Sequence, residues 1–475
     1  MLSSLVVFAA IVSVNFNEEI GKIRPELHSS GFGPQICSCP KDNIDAIKSM
    51  KFKAARTHDW ALLNANQRVC DYFHIFPLMH LDAKNPDNYV FGPTDYLLKR
   101  TREEMGYDIF FRLGTSIEHS GPKIHFNSLI PDDFDKVAEI FAGTIRHYNK
   151  GWAKGHEWGI KYWEIWNEPD GHNNMWCLPD GDMGVGATPE EVAADFKMRE
   201  EKRRNLFAKF FVTCLKRLKS EFPDVKVGGP ALCSMNVEYF TALLKACKEA
   251  GVAPDFISWH HYSGNQDVIM NAISTARRLC DGFGFRDCEL IIDEWHFFGE
   301  YSWDELRSAE PETLERVWSG PASHNGIDSS CFIITMLSKF QTSELDQAYY
   351  YGCRHSGAWG FMDSNKKKYK VFYGLQMFGE LIQLPVICKS EGTEAVTVLA
   401  TKTADNRRKG FIVTDFRGGE KEIVVNIEGI EPGRSVYAWR HDHNGNRTRL
   451  SLRILGGKLV LKKTDENSAA FLVMF

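Results

Sequence analysis

Between residues 23 and 385, short apolar segments alternate with longer stretches whose apolar residues step by three and four. That rhythm predicts parallel strands joined by crossover helices. Strands are expected at residues 23–29, 53–58, 107–114, 160–167, 225–228, 256–260, 290–293 and 347–351. Phe134, Val137, Phe141, Ile145 and Tyr148 form the buried stripe of a helix that opens at Pro131-Asp132-Asp133. Phe207, Phe210, Phe211, Cys214 and Leu218 form the stripe of a longer helix, opened by Pro189-Glu190-Glu191. A last helix over 369–384 ends against Pro385. Eight strand–helix pairs predict an α/β fold, a (β/α)8 barrel over residues 20–385, within the size range of such barrels with insertions.

After Pro385 the helical period stops. Short strands are expected at 395–400, 410–415, 423–427, 435–439, 448–454 and 470–474. Arg417-Gly418-Gly419, Asn444-Gly445 and Gly456-Gly457 supply turns between them. This pattern predicts an antiparallel β-sandwich over residues 386–475. Near the start of the chain, positions 12–17 alternate with period two. We read residues 5–17 as a strand that completes the sandwich, so that both ends of the chain build one domain. The competing reading is a signal peptide, but no Lys or Arg precedes the apolar run and no clear small-residue cleavage site follows it. No apolar run is long enough to span a bilayer.

Composition narrows the class. Of 475 residues, 43% are apolar, enough for a large core and against disorder. A net charge of −5 with mixed signs argues against a nucleic-acid partner. Lys366-Lys367-Lys368 reads as a solvated loop. The 12 cysteines form no CxxC pair and no Cys/His zinc spacing. Cys37 and Cys39 are too close for good disulfide geometry, and Cys214, Cys247 and Cys331 sit in apolar helical stretches. Buried thiols suit a reducing compartment, so a cytoplasmic protein is expected. Secretion is the alternative if residues 1–14 act as a signal peptide.

The chemistry starts at Tyr162-Trp163-Glu164-Ile165-Trp166-Asn167-Glu168-Pro169-Asp170. Pro169 cannot donate to a strand ladder, so the strand stops there and Glu168 falls at its C-terminal rim. That rim is where barrel enzymes carry their catalytic groups. One glutamate at a strand end is commonplace and decides nothing. Leu290-Ile291-Ile292-Asp293-Glu294-Trp295 repeats the pattern three barrel strands later, and two such strands are harder to ascribe to chance. Glycoside cleavage needs this pair, one carboxyl to protonate the departing oxygen and one to meet the anomeric carbon. The proton donor needs a raised pKa, and the nucleophile must stay ionised.

With these two motifs the chain resembles clan A of the glycoside hydrolases. It is most similar to family 39, the family of β-xylosidases and α-L-iduronidases. Arg56-Thr57-His58, Gly228-Gly229-Pro230 and the segment from Asp255 to Tyr262 support the likeness, which covers roughly residues 20–385. The resemblance implies a retaining double displacement, with Glu168 as acid/base and Glu294 as nucleophile. It also implies that Asn167 binds the sugar 2-hydroxyl, that Tyr262 hydrogen-bonds Glu294, and that Arg56 lies beneath the nucleophile. β-D-Xylosides or related plant or microbial glycans are the expected substrates, with no metal and no organic cofactor. Homo-oligomers are a further implication of the family.

Other positions are open between a pocket role and a core role. His58 and His260 are candidates for sugar hydroxyls, whereas His261 is expected to face the outer helices. Trp359 is a candidate for stacking on a sugar face. Glu118-His119 follows the third strand and is a candidate pocket lining that departs from the β-xylosidase pattern. The loop 171–187, with Trp176, is expected to shape the leaving-group side. Arg354 is the one candidate cation for an iduronide carboxylate. Arabinosides, endo-action and transglycosylation stay open. A carbohydrate-binding protein without catalysis ranks below them, because both carboxylates are present.

Overall fold

The inward and outward faces of the strands set the architecture of the protein. The structure, a computed structural model, describes residues 9–31, 33, 44–58, 60, 68–116, 129–171, 176–178, 188–307, 310–353, 359–363 and 365–475. Strand β1 (Ala9–Lys22) belongs to the second domain. Eight parallel strands then close into a barrel. They are β2 (Ser29–Ser30), β3 (Ala54–Arg56), β4 (Asp108–Leu113), β5 (Tyr162–Ile165), β6 (Lys226–Leu232), β7 (Phe256–Tyr262), β8 (Glu289–His296) and β9 (Gln347–Tyr350). Helices such as Phe134–Lys150, Pro189–Glu221 and Gln266–Phe283 surround them. Asp133 caps the first of these by accepting from the Lys136 N–H at 2.9 Å, and left-handed Gly151 ends it.

Ala54, Phe110, Phe256, Ile291 and Tyr349 pack together inside the barrel, with Tyr162 against them. Two residues further along their strands, Arg56, Glu164, Ser258 and Asp293 are inward-facing by the strand period, and all four are fully buried. A packed apolar layer thus floors a polar one, toward the C-terminal rim. The intervening residues Ile109, Phe111, Trp163, Ile257 and Ile292 face the helices and join the outer core.

The second domain follows as β10 (Val386–Glu391), β11 (Val396–Lys402), β12 (Lys409–Asp415), β13 (Glu422–Glu428), β14 (Ser435–His441), β15 (Thr448–Arg453), β16 (Lys458–Lys462) and β17 (Ala469–Met474). With β1 they form one sheet in the order β15-β14-β17-β12-β11-β10-β1-β13-β16. All its pairs are antiparallel except β1 with β13. Val12, Val14 and Phe16 of β1 share one apolar cluster with Val425, Leu461, Phe411 and Val473, so the sheet folds over into a sandwich. Its other face, through Ile387, Leu399, Ile412 and Leu472, joins the barrel core. Helices Ile327–Phe340 and Lys370–Leu381 meet it there, and Arg417 to Asp328 (2.8 Å) and Arg447 to Glu380 (2.6 Å) tie the rim.

Three details differ from the pattern-based expectation. The first barrel strand is only two residues long, because Pro25 starts a 3-10 turn over Pro25–Leu27, where its fixed φ and missing N–H fit. Strand β1 runs on to Lys22 and stays beside β10. Strands β10 and β16 carry no signal that sets them apart. The first follows Pro385 without a turn, and the second is five residues flanked by lysines.

Candidate active site

The rim of β5 is shaped by close packing. Trp166 takes φ +77° and Glu168 φ +45°, both in the left-handed region that non-glycine residues avoid. Two backbone bonds hold the turn, Trp166 N–H to Leu113 O at 2.6 Å and Glu168 N–H to Ala231 O at 2.8 Å. Gly114 lies under Trp166 with φ +127°, and a Cβ there would meet the indole Cε3 at 2.9 Å. Only glycine suits that contact. Strain of this kind concentrates where the chain aims a functional side chain.

Strand β8 solves a different problem. Successive side chains on a regular strand point to opposite faces, so Asp293 and Glu294 cannot both face the axis. The register of β8 slips against β7 between Trp259 and His260, and against β9 between Ile292 and Trp295. This bulge turns both carboxylates toward Arg56. Arg56 Nη2 lies 3.0 Å from Asp293 Oδ2, and Nη1 lies 2.9 Å from Glu294 Oε1. Its Nε donates to Glu164 Oε2 at 2.6 Å, and Nη2 also donates to Asn167 Oδ1 at 2.8 Å. One guanidinium therefore organises four side chains from β5, its rim and β8.

Glu294 is held from its other side by the Tyr262 hydroxyl, which donates to Oε2 at 2.7 Å. His260 bridges the two rims. Its Nδ1 is 2.8 Å from Glu168 Oε1 and 3.4 Å from Glu294 Oε2, while its Nε2 faces Asp293 at 3.5 Å. His58 is fully buried with Nε2 3.5 Å from Glu294 Oε1. The Asn167 Nδ2 donor is buried and makes no hydrogen bond among the described residues.

The charges are unequally matched, because Arg56 faces three buried carboxyls. Burial raises Glu164 to about 8, against the pull of Arg56. Burial likewise raises Glu294 to about 7 against His260 and Arg56, with Glu168 adding to the rise. Burial works against Asp293 too, but Arg56 and His260 outweigh it and hold its carboxyl below the usual range. For His260 the order reverses. Burial disfavours its charge, yet Glu294, Asp293 and Glu168 raise its pKa well above the ordinary value.

Arg56, His58, Asn167, Glu168, His260, Tyr262 and Glu294 thus come together at one end of the barrel. Trp359 is half-buried beside them, its ring 5.3 Å from Tyr262 and 5.6 Å from Tyr351. His261 is buried away from this cluster, and burial lowers its pKa to about 4. Glu118, His119, Arg354 and most of the loop 171–187 lie outside the described residues. Trp176 of that loop is described. It is buried against Trp166 (5.2 Å) and Phe210 (5.1 Å), and its Nε1 donates to Arg203 O at 3.1 Å, so it supports the rim from behind.

Sequence reasoning missed several members. Glu164 and Asp293 were in view only as parts of the two motifs. Ser258, whose hydroxyl donates to Glu164 Oε1 at 2.6 Å, and Trp303, 42% exposed and 5.6 Å from Trp359, gave no local signal. Cys233 follows β6, and burial, then Glu168 and Asp170, push its thiol well up, so it stays neutral beside Glu168.

No family model matches the chain. A curated beta-xylosidase of Geobacillus stearothermophilus is 27% identical over 135 residues, 28% of this chain and 21% of that protein. The match thus spans about a fifth of that relative's length. Solved structures align over nearly everything. A glucosidase from Croceicoccus marinus superimposes with TM-score 0.73 at 19% identity, over 98% of this chain and 99% of its own. A monomeric beta-xylosidase from Caulobacter crescentus gives 0.65 at 14%, over 98% and 99%. A GH51 alpha-L-arabinofuranosidase from Thermotoga petrophila gives 0.62 at 12%, over 98% and 100%. The fold is that of solved glycosidases. Barrel and sandwich are both included in these alignments, so the shared fold covers both domains.

Proposed function

We propose that the chain is a retaining glycoside hydrolase of the clan A type, with Glu294 as nucleophile and Glu168 as acid/base. One observation carries this reading. His260 Nδ1 contacts both carboxylates, at 2.8 and 3.4 Å, so those oxygens are at most about 6.2 Å apart. Retaining pairs stand about 5–5.5 Å apart, whereas inverting pairs need about 6.5–9.5 Å to admit a water between them.

In the first step a Glu294 oxygen bonds to the anomeric carbon. The bond to the leaving oxygen breaks, and Glu168 gives that oxygen its proton. In the second step Glu168 takes a proton from water, whose oxygen attacks the anomeric carbon and releases Glu294. Tyr262 and Arg56 stabilise the ionised Glu294 by direct hydrogen bonds. The open Asn167 Nδ2 suits a sugar 2-hydroxyl as acceptor. Trp359 and Trp303 offer apolar ring faces beside Tyr262 for a sugar. The reaction uses side chains alone.

β-D-Xylosides are the favoured substrates, on the likeness to the two beta-xylosidases, and family 39 is the favoured family. Arabinofuranosides are the second choice, favoured by the whole-length match to the arabinofuranosidase. The test is hydrolysis of aryl xylosides, arabinofuranosides and glucosides by wild type, Glu294→Ala and Glu168→Ala, with and without azide. Loss of general acid–base help at Glu168 costs about 10²–10⁴-fold, and Glu294→Ala is expected to lose more. Azide restores turnover in Glu294→Ala as a glycosyl azide of inverted configuration. Near wild-type turnover by Glu294→Ala would remove it from the mechanism.

A further inference from the structure

A second cluster of ligating side chains lies far from the carboxylates. Helix Phe134–Lys150 runs back along the barrel, so its last turn is at the end opposite the catalytic rim. His147 in that turn is buried and stacks on Phe91, centroids 3.5 Å apart and 8° from parallel. The chain then doubles back through Gly151, Ala153 and Lys154, all with positive φ. His156 N–H donates to His147 O at 2.6 Å, and the His156 ring stacks on Trp158 at 3.9 Å. Asp95, from helix Gly92–Lys99, faces both imidazoles. Its Oδ1 is 3.0 Å from His147 Nε2 and 3.6 Å from His156 Nε2, and one ligand atom from each residue lies within 4.8 Å of the others.

We propose that Asp95, His147 and His156 bind a divalent first-row transition-metal ion that clamps helix Gly92–Lys99 to helix Phe134–Lys150 and to the turn that follows it. Two imidazoles and a carboxylate are the donors such ions prefer over magnesium or calcium. Donors about 2.0–2.2 Å from one ion sit roughly 3–4 Å apart, close to the spacing seen. His147 Nδ1 lies 3.0 Å from the Trp152 carbonyl, which leaves Nε2 facing Asp95 as the ligating nitrogen. The His156 Nε2 atom makes no hydrogen bond among the described residues. Both rings are fixed by stacking, so little side-chain freedom is lost on binding. The Asp95 and His156 side chains are 28% and 27% exposed, so the cluster lies near the surface.

Zn2+ is the probe, with the full-length protein stripped by chelator and redialysed. Equilibrium dialysis is expected to find one Zn2+ per chain, and Zn2+ is expected to raise the unfolding temperature of wild type. His156→Gln and Asp95→Asn, at partly exposed positions, keep the fold and bind at least about tenfold more weakly. Their aryl-glycoside turnover should equal that of wild type, because the site is remote from Glu168 and Glu294. Substoichiometric binding by wild type, or equal binding by both variants, overturns the proposal.

Discussion

Tyr262 and Glu164 make the residue-scale claims testable. Tyr262→Phe removes a 2.7 Å hydrogen bond to Glu294 and little else. A hydrogen bond to a charged group contributes about 1.5–3 kcal/mol, so kcat/KM is expected to fall roughly 10–100-fold. The acid limb of the pH profile, set by Glu294 near 7 in wild type, should also move to higher pH, because the lost bond favoured the ionised form. Unchanged limbs in the variant would place Tyr262 outside the machinery. Glu164 speaks through stability. Its carboxyl titrates near 4.5 when unfolded and about 8 when folded. Between those values the folded state binds more protons, so this group makes stability fall as pH rises. Glu164→Gln mimics the protonated form and is expected to flatten that slope in denaturant titrations from about pH 5 to about pH 8. An unaltered slope would assign it to other groups. At this scale the Asn-Glu-Pro and Asp-Glu-Trp segments were readable because each ends an apolar strand in a carboxylate. Glu164 and Asp293 sat in the same segments, but their roles depend on Arg56 from another strand.

Elements explain what short-range reading leaves out. The β8 bulge turns two adjacent carboxylates to one side, and nothing in Ile292-Asp293-Glu294-Trp295 announces it, since the register slip arises from both neighbouring strands. Trp176 lies in the loop that leaves β5 beside Glu168, and its indole packs between Trp166 and Phe210, a contact that no local pattern shows. The Asp95–His147–His156 cluster has no motif, because its carboxylate comes from a separate helix. Gly114→Ala tests the rim itself. Positive φ and a Cβ 2.9 Å from the Trp166 indole predict a loss of about 1–3 kcal/mol. Calorimetry or denaturant titration measures it, and a neutral result would mean Trp166 is not pinned.

Across the whole molecule, the barrel and the sandwich were legible as a change of period at Pro385. The alternation at positions 12–17 also placed β1 in the strand class, and β1 is now seen between β10 and β13. Its course on to Lys22 was hidden, because Glu18 to Lys22 are all exposed, Ile20 included, so the apolar alternation ends at Phe16. The sandwich contacts helices Ile327–Phe340 and Lys370–Leu381, which flank β9 in sequence, so the two domains share a core. The frame holds Glu168 Oε1 and Glu294 Oε2 no more than about 6.2 Å apart, through their shared contact with His260. The stereochemical course of hydrolysis reads that gap most directly. Proton NMR should follow wild type on the aryl glycoside it cleaves fastest, before the free sugar mutarotates. The expected first product keeps the anomeric configuration of the substrate. A first product of opposite configuration would mean single displacement through water and would contradict the assignment of Glu294 as nucleophile.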